Sequence, residues 1–493
     1  MATRRIDPWV IAAVVAGLAL RLVNLGTAPF WLDEMYTFEM LRVPWDALLG
    51  AAMRDNQAPL YYVVTKGWTA LGGWSTAALR APGLLASLAC IPLAAAVTRL
   101  VAGARAARMA AWVAALSPLL IQHAQDARPY ALLAAVATAN LLILVRFLVG
   151  RSPRLGFWWV ASAFVVVATH YYGIFFLAGQ GLALLILRPA PVRGWLPAGV
   201  VAAGLCGALV LTAVGRASGD FGARYVFGIT AMPGVVWSLL TGYALMPTSE
   251  DLHALGGTRA MLPYLPVALP TLPAFALVAA AGLRTMRREG RVLLLAIFTV
   301  ALCAPFAYRL AAGVGVHPRY FAAAIAPVVV VTGAGMVLDR SARGIATAVL
   351  LVIMSAATFL HLWDTTHGRE DLRAAGRWLD ANVPPDEEIL VTSSEMEVLA
   401  RFTWPGRKFR RYPDGRGLVD PARVRALVEA FPMADRARAI YLVGRAWVTD
   451  RDGALQAALV DAYPSCPGID VRGIRIYCFR PRSTATANVA ANR

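Results

Sequence analysis

The chain has 493 residues, of which 58% are hydrophobic and only 15% are charged. Soluble domains carry roughly 25% charged residues, so the composition excludes an ordinary soluble globule and points to a membrane protein. The formal net charge of +18 raises nucleic acid as a partner, but the placement of the basic residues argues against it.

Taken in chain order, the first apolar run extends from Trp9 to Leu25 with no small-residue cleavage site after it. It reads as a retained span and not as a signal peptide. Eleven spans are predicted, near 8–25, 79–101, 106–121, 130–149, 156–170, 171–187, 195–215, 262–284, 291–312, 320–338 and 343–362. Each approaches the ~20 apolar residues with which a helix crosses a ~30 Å hydrocarbon core. Residues 59–72 are apolar but too short, and an interfacial or re-entrant segment fits them better. The block 156–187 is broken by His170-Tyr171-Tyr172-Gly173 and is read as two short helices with a tight turn. One long helix there would invert the charge pattern of every later loop.

That pattern is regular. One set of connections carries Arg4 and Arg5; Arg99, Arg105 and Arg108; Arg146, Arg151 and Arg154; Arg188 and Arg193; Arg284, Arg287, Arg288 and Arg291; Arg340 and Arg343. These loops are short and almost free of acid, which is the positive-inside signature of cytoplasmic connections. The expected topology puts the N-terminus inside and the C-terminus outside. The excess charge is then a topology signal with some attraction to anionic lipid, and nucleic acid is set aside as a partner.

The hydrophobic character stops near residue 362. Beyond it, DLRAAGRWLDANV (371–383), PARVRALVEAF (421–431) and GALQAALVDAY (453–463) have helical spacing, while EEILVTS (387–393), RAIYLVG (438–444) and GIRIYCF (473–479) read as strands. The alternation predicts a small α/β domain with an at least partly parallel sheet. The expected organisation is a membrane domain over 1–362, an extracytoplasmic α/β domain over 363–480, and a small polar tail over 481–493 expected to be disordered. Cys90, Cys206 and Cys303 fall inside spans and read as packing residues. Cys466 and Cys478 fall in the outer domain, where a disulfide between neighbouring strands and two unpaired buried thiols both remain open.

Unusual polar residues gather on the outer side. WLDEMYT (31–37) follows the first span, and DNQAPLYY (55–62) lies in the same outer loop. HAQDARPY (123–130), THYYG (169–173) and HPRY (317–320) fill three outer turns. Each has a bland reading. Asp33 and Glu34 suit a helix N-terminus, where the dipole favours acid. Arg128 and Arg319 suit snorkelling to headgroups. Tyr61, Tyr62, Tyr130, Tyr171, Tyr172 and Tyr320 suit an aromatic belt, and His170 and His317 suit caps of turns. The coincidence of all of them on one membrane face favours a site. Arginines opening short turns are placed to hold a phosphate at headgroup level, through a planar multi-donor fork. The outer loop with Arg216, Asp220, Arg224, Tyr225, Glu250, Asp251 and His253 suits either an acceptor contact or a structural lid, and 232–245 has the look of an interfacial helix.

In order and in topological side, WLDE, APLYY, QDARPYALL and HPRY resemble the motifs of GT-C membrane glycosyltransferases. The resemblance is nearest to bacterial relatives of protein O-mannosyltransferases and lipid A aminoarabinose transferases, and it covers about residues 8–362. It implies a polyprenyl-phosphate-linked monosaccharide as donor and transfer, with inversion, to an acceptor hydroxyl on the extracytoplasmic face of a bacterial inner membrane. By the same resemblance Asp33, with its neighbour Glu34, matches the acid proposed as general base, and Arg128 and Arg319, with Tyr130 and Tyr320, match positions near the lipid phosphate. Gln57, Tyr61, Tyr62, His123, Asp126, His170, Tyr171 and His317 are assigned to the substrate cleft. Relatives often carry Lys or His before the Pro-Leu-Tyr-Tyr element, where this chain has Gln57-Ala58. No cofactor is required by the sequence. A divalent metal stays open, because Asp33, Glu34, Asp126, His123 and His317 supply suitable donors without a known ligand spacing. A transporter or flippase of lipid-linked saccharides is the alternative. It predicts charges buried mid-membrane and broken helices in related halves, and the sequence shows few such charges and no two-half symmetry.

Overall fold

The computed structural model describes residues 7–150, 152–214, 232–248, 251–252, 255, 257–312, 317–364, 370–414, 418–433, 436–446, 449–450 and 452–481. Arg4, Arg5, Arg151, Arg216, Asp220, Arg224, Tyr225, Glu250, His253 and the tail from 482 lie outside them. The chain falls into two compact units. The first comprises 1–28, 37–247 and 257–364; the second comprises 29–36, 248–256 and 365–493.

The helices of the first unit, in chain order, are α1 (Pro8–Leu22), the end of α2 (Leu32–Arg42), α3 (Trp45–Arg54), α4 (Leu60–Gly72), α5 (Thr76–Ala102), α6 (Ala104–Leu116), α7 (Pro118–Ala124), α8 (Tyr130–Gly150), α9 (Pro153–Thr169), α10 (Gly173–Leu187), α11 (Ala190–Arg193), α12 (Leu196–Val214), α13 (Met232–Thr241), α14 (Gly257–Met261), α15 (Leu265–Thr285), α16 (Arg288–Ala312), α17 (Ile325–Gly335) and α18 (Ala342–Trp363). A 3₁₀ turn, Pro318–Ala324, leads into α17. Among the described residues six helical segments are long and apolar enough to cross a bilayer, and α6 with α7 makes a seventh if the bent pair counts as one span. Four other predicted spans, α1, α9, α10 and α12, are shorter apolar helices. The protein is thus a multi-pass helical membrane protein.

Where the structure departs from the predicted spans, local chemistry explains it. The span predicted over 106–121 is not one straight helix. It bends by 52° between α6 and α7, because Pro118 cannot donate into a continuous helix and Ser117 instead starts a new one, its side chain accepting from Leu120 N. The block 156–187 breaks at His170 into α9 and α10, in line with the charge pattern. Cys90 and Cys206 are buried, whereas Cys303 is exposed on α16 and is not a packing residue. Helices approach closely through small residues, as expected where lipid competes with any apolar side chain. A Cβ on Gly335 would stand 1.8 Å from Val278 O.

The second unit holds a five-stranded sheet in the order β2-β1-β3-β5-β4. Its strands are β1 (Glu388–Val391), β2 (Lys408–Arg411), β3 (Ala439–Gly444), β4 (Ser465–Val471) and β5 (Ile474–Phe479), with helices α19 (Leu372–Asn382), α20 (Ser394–Thr403), α21 (Val424–Glu429) and α22 (Ala454–Ala462). β1 pairs in parallel with β2 and β3, while β5 runs antiparallel to β3 and β4. The helix α20 and the strands β2 and β4 escaped the sequence reading, since KFRR and SCPGIDV carry no alternation of apolar and polar residues. Cys466 and Cys478 are register partners on β4 and β5 and form a disulfide. At the carboxyl ends of β1 and β3, Arg445 is held by Glu370 at 2.5 Å and by Glu395 at 3.9 Å.

Candidate functional site

Most of the sequence-predicted site residues come together in the first unit. The turn after α7 carries Gln125, Asp126 and Arg128, all buried, and passes through Pro129 into α8, whose first residue is Tyr130. α5 meets this turn at backbone distance. A Cβ on Gly83 would lie 3.1 Å from Asp126 O and 3.2 Å from His123 O, so glycine is what lets the turn sit there.

Arg128 points one Nη1 donor to Thr37 Oγ1 and to Tyr62 Oη, both at 3.3 Å. Tyr62 in turn donates to Gln57 Oε1 at 3.2 Å, and Tyr171 donates to Gln57 O at 3.1 Å. Tyr61 stacks edge-on against Tyr62 with ring centres 5.5 Å apart. Gln57, Tyr61, Tyr62, Arg128 and Tyr171, gathered from three separate loops, thus form one hydrogen-bonded and packed group. Burial raises the carboxyl pKa of Asp55, in the same loop, and the charge of Arg128 acts against that rise.

Beside this group lies a closed ring of six aromatic side chains. Its successive centroid distances are His123–Tyr130 5.1 Å, Tyr130–His170 5.7 Å, His170–Tyr320 5.6 Å, Tyr320–His317 6.1 Å, His317–Tyr243 6.2 Å and Tyr243–His123 5.9 Å. The Arg319 guanidinium sits 5.9 Å from the centre of Tyr130 and 5.8 Å from that of Tyr320. Ring faces are negative, so they attract the cation.

His170 and His317 also cap backbone, as the bland reading expected. His170 Nδ1 accepts from Tyr172 N at 3.2 Å, and His317 Nδ1 accepts from Arg319 N at 3.3 Å. Burial, then the charges of Arg128 and Arg319, lower the imidazole pKa of His170, which lies in the connection between α9 and α10. The ring is therefore neutral, and with Nδ1 accepting, its proton is on Nε2. His123 is 1% exposed. Neither of its ring nitrogens, nor the hydroxyl of Tyr243, has a hydrogen-bond partner among the described residues. A buried polar atom without a partner costs about 1–3 kcal/mol.

Asp33 and Glu34 occupy the first turn of α2, and their segment belongs to the second unit. The same turn buries Leu32 and Met35 in a core with Leu372, Leu379, Met396 and Ile476, and Phe30 meets Phe402 edge-on at 5.6 Å. Glu34 is buried and Asp33 half-buried. Among the described residues no three His, Cys, Asp or Glu side chains are grouped to hold a metal ion.

Thr37, Tyr172 and Tyr243 join these groups without having been assigned to the site. Tyr172 was visible in the HYYG turn. Tyr243 follows Gly242, whose φ of +63° ends α13, and no sequence pattern says which way that turn aims the tyrosine. Lys66, the nearest cation in sequence to the Pro-Leu-Tyr-Tyr element, donates to Leu41 O and Val43 O at 2.6 Å each and closes the end of α2.

No protein-family model matches the chain, and no curated protein is similar to it in sequence. Solved structures are similar to it in fold. ArnT from Cupriavidus metallidurans in the apo state superposes with a TM-score of 0.58 over 96% of this chain and 98% of that one, at 13% identity. The chain shares the fold of this ArnT. The same ArnT bound to undecaprenyl phosphate gives a TM-score of 0.54 at 14% identity, over 96% and 98% of the two chains. An Archaeoglobus fulgidus oligosaccharyltransferase in complex with Zn and sulfate gives 0.51 at 13% identity, over 95% of this chain and 72% of that one. At such identities the GT-C likeness is one of fold, and the chemistry rests on this chain's own residues.

Proposed function

We propose that the protein is an integral-membrane glycosyltransferase that moves a monosaccharide from a polyprenyl-phosphate donor to an acceptor hydroxyl. The observation that carries this reading is the placing of two arginines among tyrosines, Arg128 bonded to Tyr62 and Arg319 over Tyr130 and Tyr320, in a fold shared over nearly the whole chain with an ArnT seen bound to undecaprenyl phosphate. The arginines offset the charge that grows on the leaving phosphate, and each such contact supplies roughly 3 kcal/mol. Asp33, with Glu34 beside it, accepts the proton of the acceptor hydroxyl. The hydroxyl oxygen bonds to the anomeric carbon from the face opposite the phosphate, the carbon–oxygen bond to phosphate breaks, and configuration inverts. The products are the glycosylated acceptor and polyprenyl phosphate.

We assign the chain to a bacterial inner membrane, with its N-terminus cytoplasmic and the α/β domain outside. The arginine-rich connections support that orientation, and the Cys466–Cys478 bridge suits an oxidising compartment. The test uses full-length protein in nanodiscs with a panel of polyprenyl-phosphate sugars and an acceptor extract. Release of polyprenyl phosphate is followed by mass spectrometry for wild type and Asp33→Asn. Turnover that vanishes in Asp33→Asn with donor binding intact supports the reading. A protein that consumes no donor but moves a lipid-linked saccharide between leaflets is a transporter, and the reading fails.

A further inference from the structure

The turn after α7 bears two of the candidate site residues, Asp126 and Arg128, between His123 on α7 and Tyr130 on α8, yet it is irregular backbone beyond a bent helix pair. Such a turn has no ladder of its own to fix it. Its fixation comes from outside. Gln125 is 3% exposed, and its Nε2 donates to Val23 O at 2.5 Å and to Arg21 O at 3.3 Å. Those are carbonyls at the C-terminal end of α1. With both amide protons directed there, Oε1 is the acceptor left for His361, whose Nε2 lies 3.0 Å away in the last turn of α18. The ends of α1 and α18 are tied directly as well, by Asn24 Nδ2 to Leu362 O at 2.7 Å. Around the bend, Arg21 donates to Ala114 O and Ala115 O at 3.0 Å, Ser87 Oγ donates to Leu120 O at 2.6 Å, and Thr358 Oγ1 donates to Leu116 O at 3.3 Å.

We propose that Gln125 and His361 form a clamp that positions the Asp126–Arg128 turn, so that α1 and α18 set where the Arg128 guanidinium stands. The bend is satisfied by several donors and would survive the loss of one. Gln125 grips the turn beyond it, and its amide is oriented by the proton that His361 donates to Oε1. Without that donor, Oε1 is a buried acceptor with nothing opposite, the amide turns over to seek one, and the hold on Val23 O is lost. The effect of Gln125 and His361 passes through the placement of Arg128, and a misplacement of about 1 Å is enough to cost up to 10²-fold in rate.

The kinetic part of this inference rests on the transferase reading; the structural part does not. The experiment compares wild type, His361→Phe and His361→Gln in full-length protein in nanodiscs. Phe keeps the ring volume and removes the donor. Gln places an amide N–H near where Nε2 stands. Turnover of the polyprenyl-phosphate sugar is measured beside hydrogen exchange of peptides spanning 119–132. The expected result for His361→Phe is kcat about tenfold lower, donor KM within twofold, faster exchange confined to 119–132 and an unchanged melting temperature, with His361→Gln restoring both readouts. Wild-type kcat with unchanged exchange in His361→Phe overturns the clamp. Equal loss in both variants with a lower melting temperature also overturns it, because that marks a packing role. If wild type itself turns over no donor, the transferase reading fails and the exchange data alone decide the clamp.

Discussion

Arg128 offers the sharpest test of the site. Replacement by Gln removes the charge while keeping a side chain of similar reach. Arg128 is 6% exposed and its guanidinium is held by Thr37 and Tyr62 at 3.3 Å each, so little water reaches the residue. A donor aimed at developing charge in such a setting supplies roughly 3 kcal/mol, and its loss lowers kcat about 10²-fold. Arg128→Lys keeps the charge but loses the planar fork that Thr37 and Tyr62 orient, and recovers only part of the rate. Tyr62→Phe deletes one hydrogen bond to the guanidinium, worth about 1 kcal/mol, or about fivefold in kcat. Because Tyr62 acts through Arg128, the double variant is no slower than Arg128→Gln alone. The assay is release of polyprenyl phosphate in nanodiscs, with donor binding measured separately. Arg128→Gln within threefold of wild-type kcat, or full additivity in the double variant, refutes the reasoning.

Three further outcomes follow from packing. Gly335→Ala sets a methyl 1.8 Å from Val278 O and 2.9 Å from Gly282 N, so the helices must part, at about 1–3 kcal/mol, seen as a lower melting temperature in detergent. Met35→Ala empties a fully buried position in the core of the second unit and costs about 2–5 kcal/mol; limited proteolysis near residues 29–36 becomes faster. Replacing Cys466 and Cys478 together by Ala opens a loop with a sequence separation of 12 and destabilises the α/β domain by about 3 kcal/mol, while alkylation without reductant labels neither position in wild type.

The sequence by itself determined the solvent of each segment. Span lengths, arginine-rich loops and the end of apolar character at 362 follow from the transfer cost of side chains, which depends on composition and hardly on partners. It also pointed to the turns that matter, because Arg, His and Tyr at helix mouths are conspicuous in an apolar chain. The arrangement of those turns was not legible. That His123, His170 and His317 share one ring with Tyr130, Tyr243 and Tyr320 depends on packing between helices distant in the chain. The Gln125–His361 contact over a separation of 236 residues and the exposed Cys303 have the same origin.

Tertiary structure alone decided where WLDE belongs. Its residues sit just past the first span, and sequence proximity assigns them to the membrane domain. Leu32 and Met35 instead complete the apolar core of a domain that begins more than three hundred residues later. Burial of apolar surface takes no account of sequence distance. Local pattern therefore determined which segments enter the lipid, while close packing decided which of them meet.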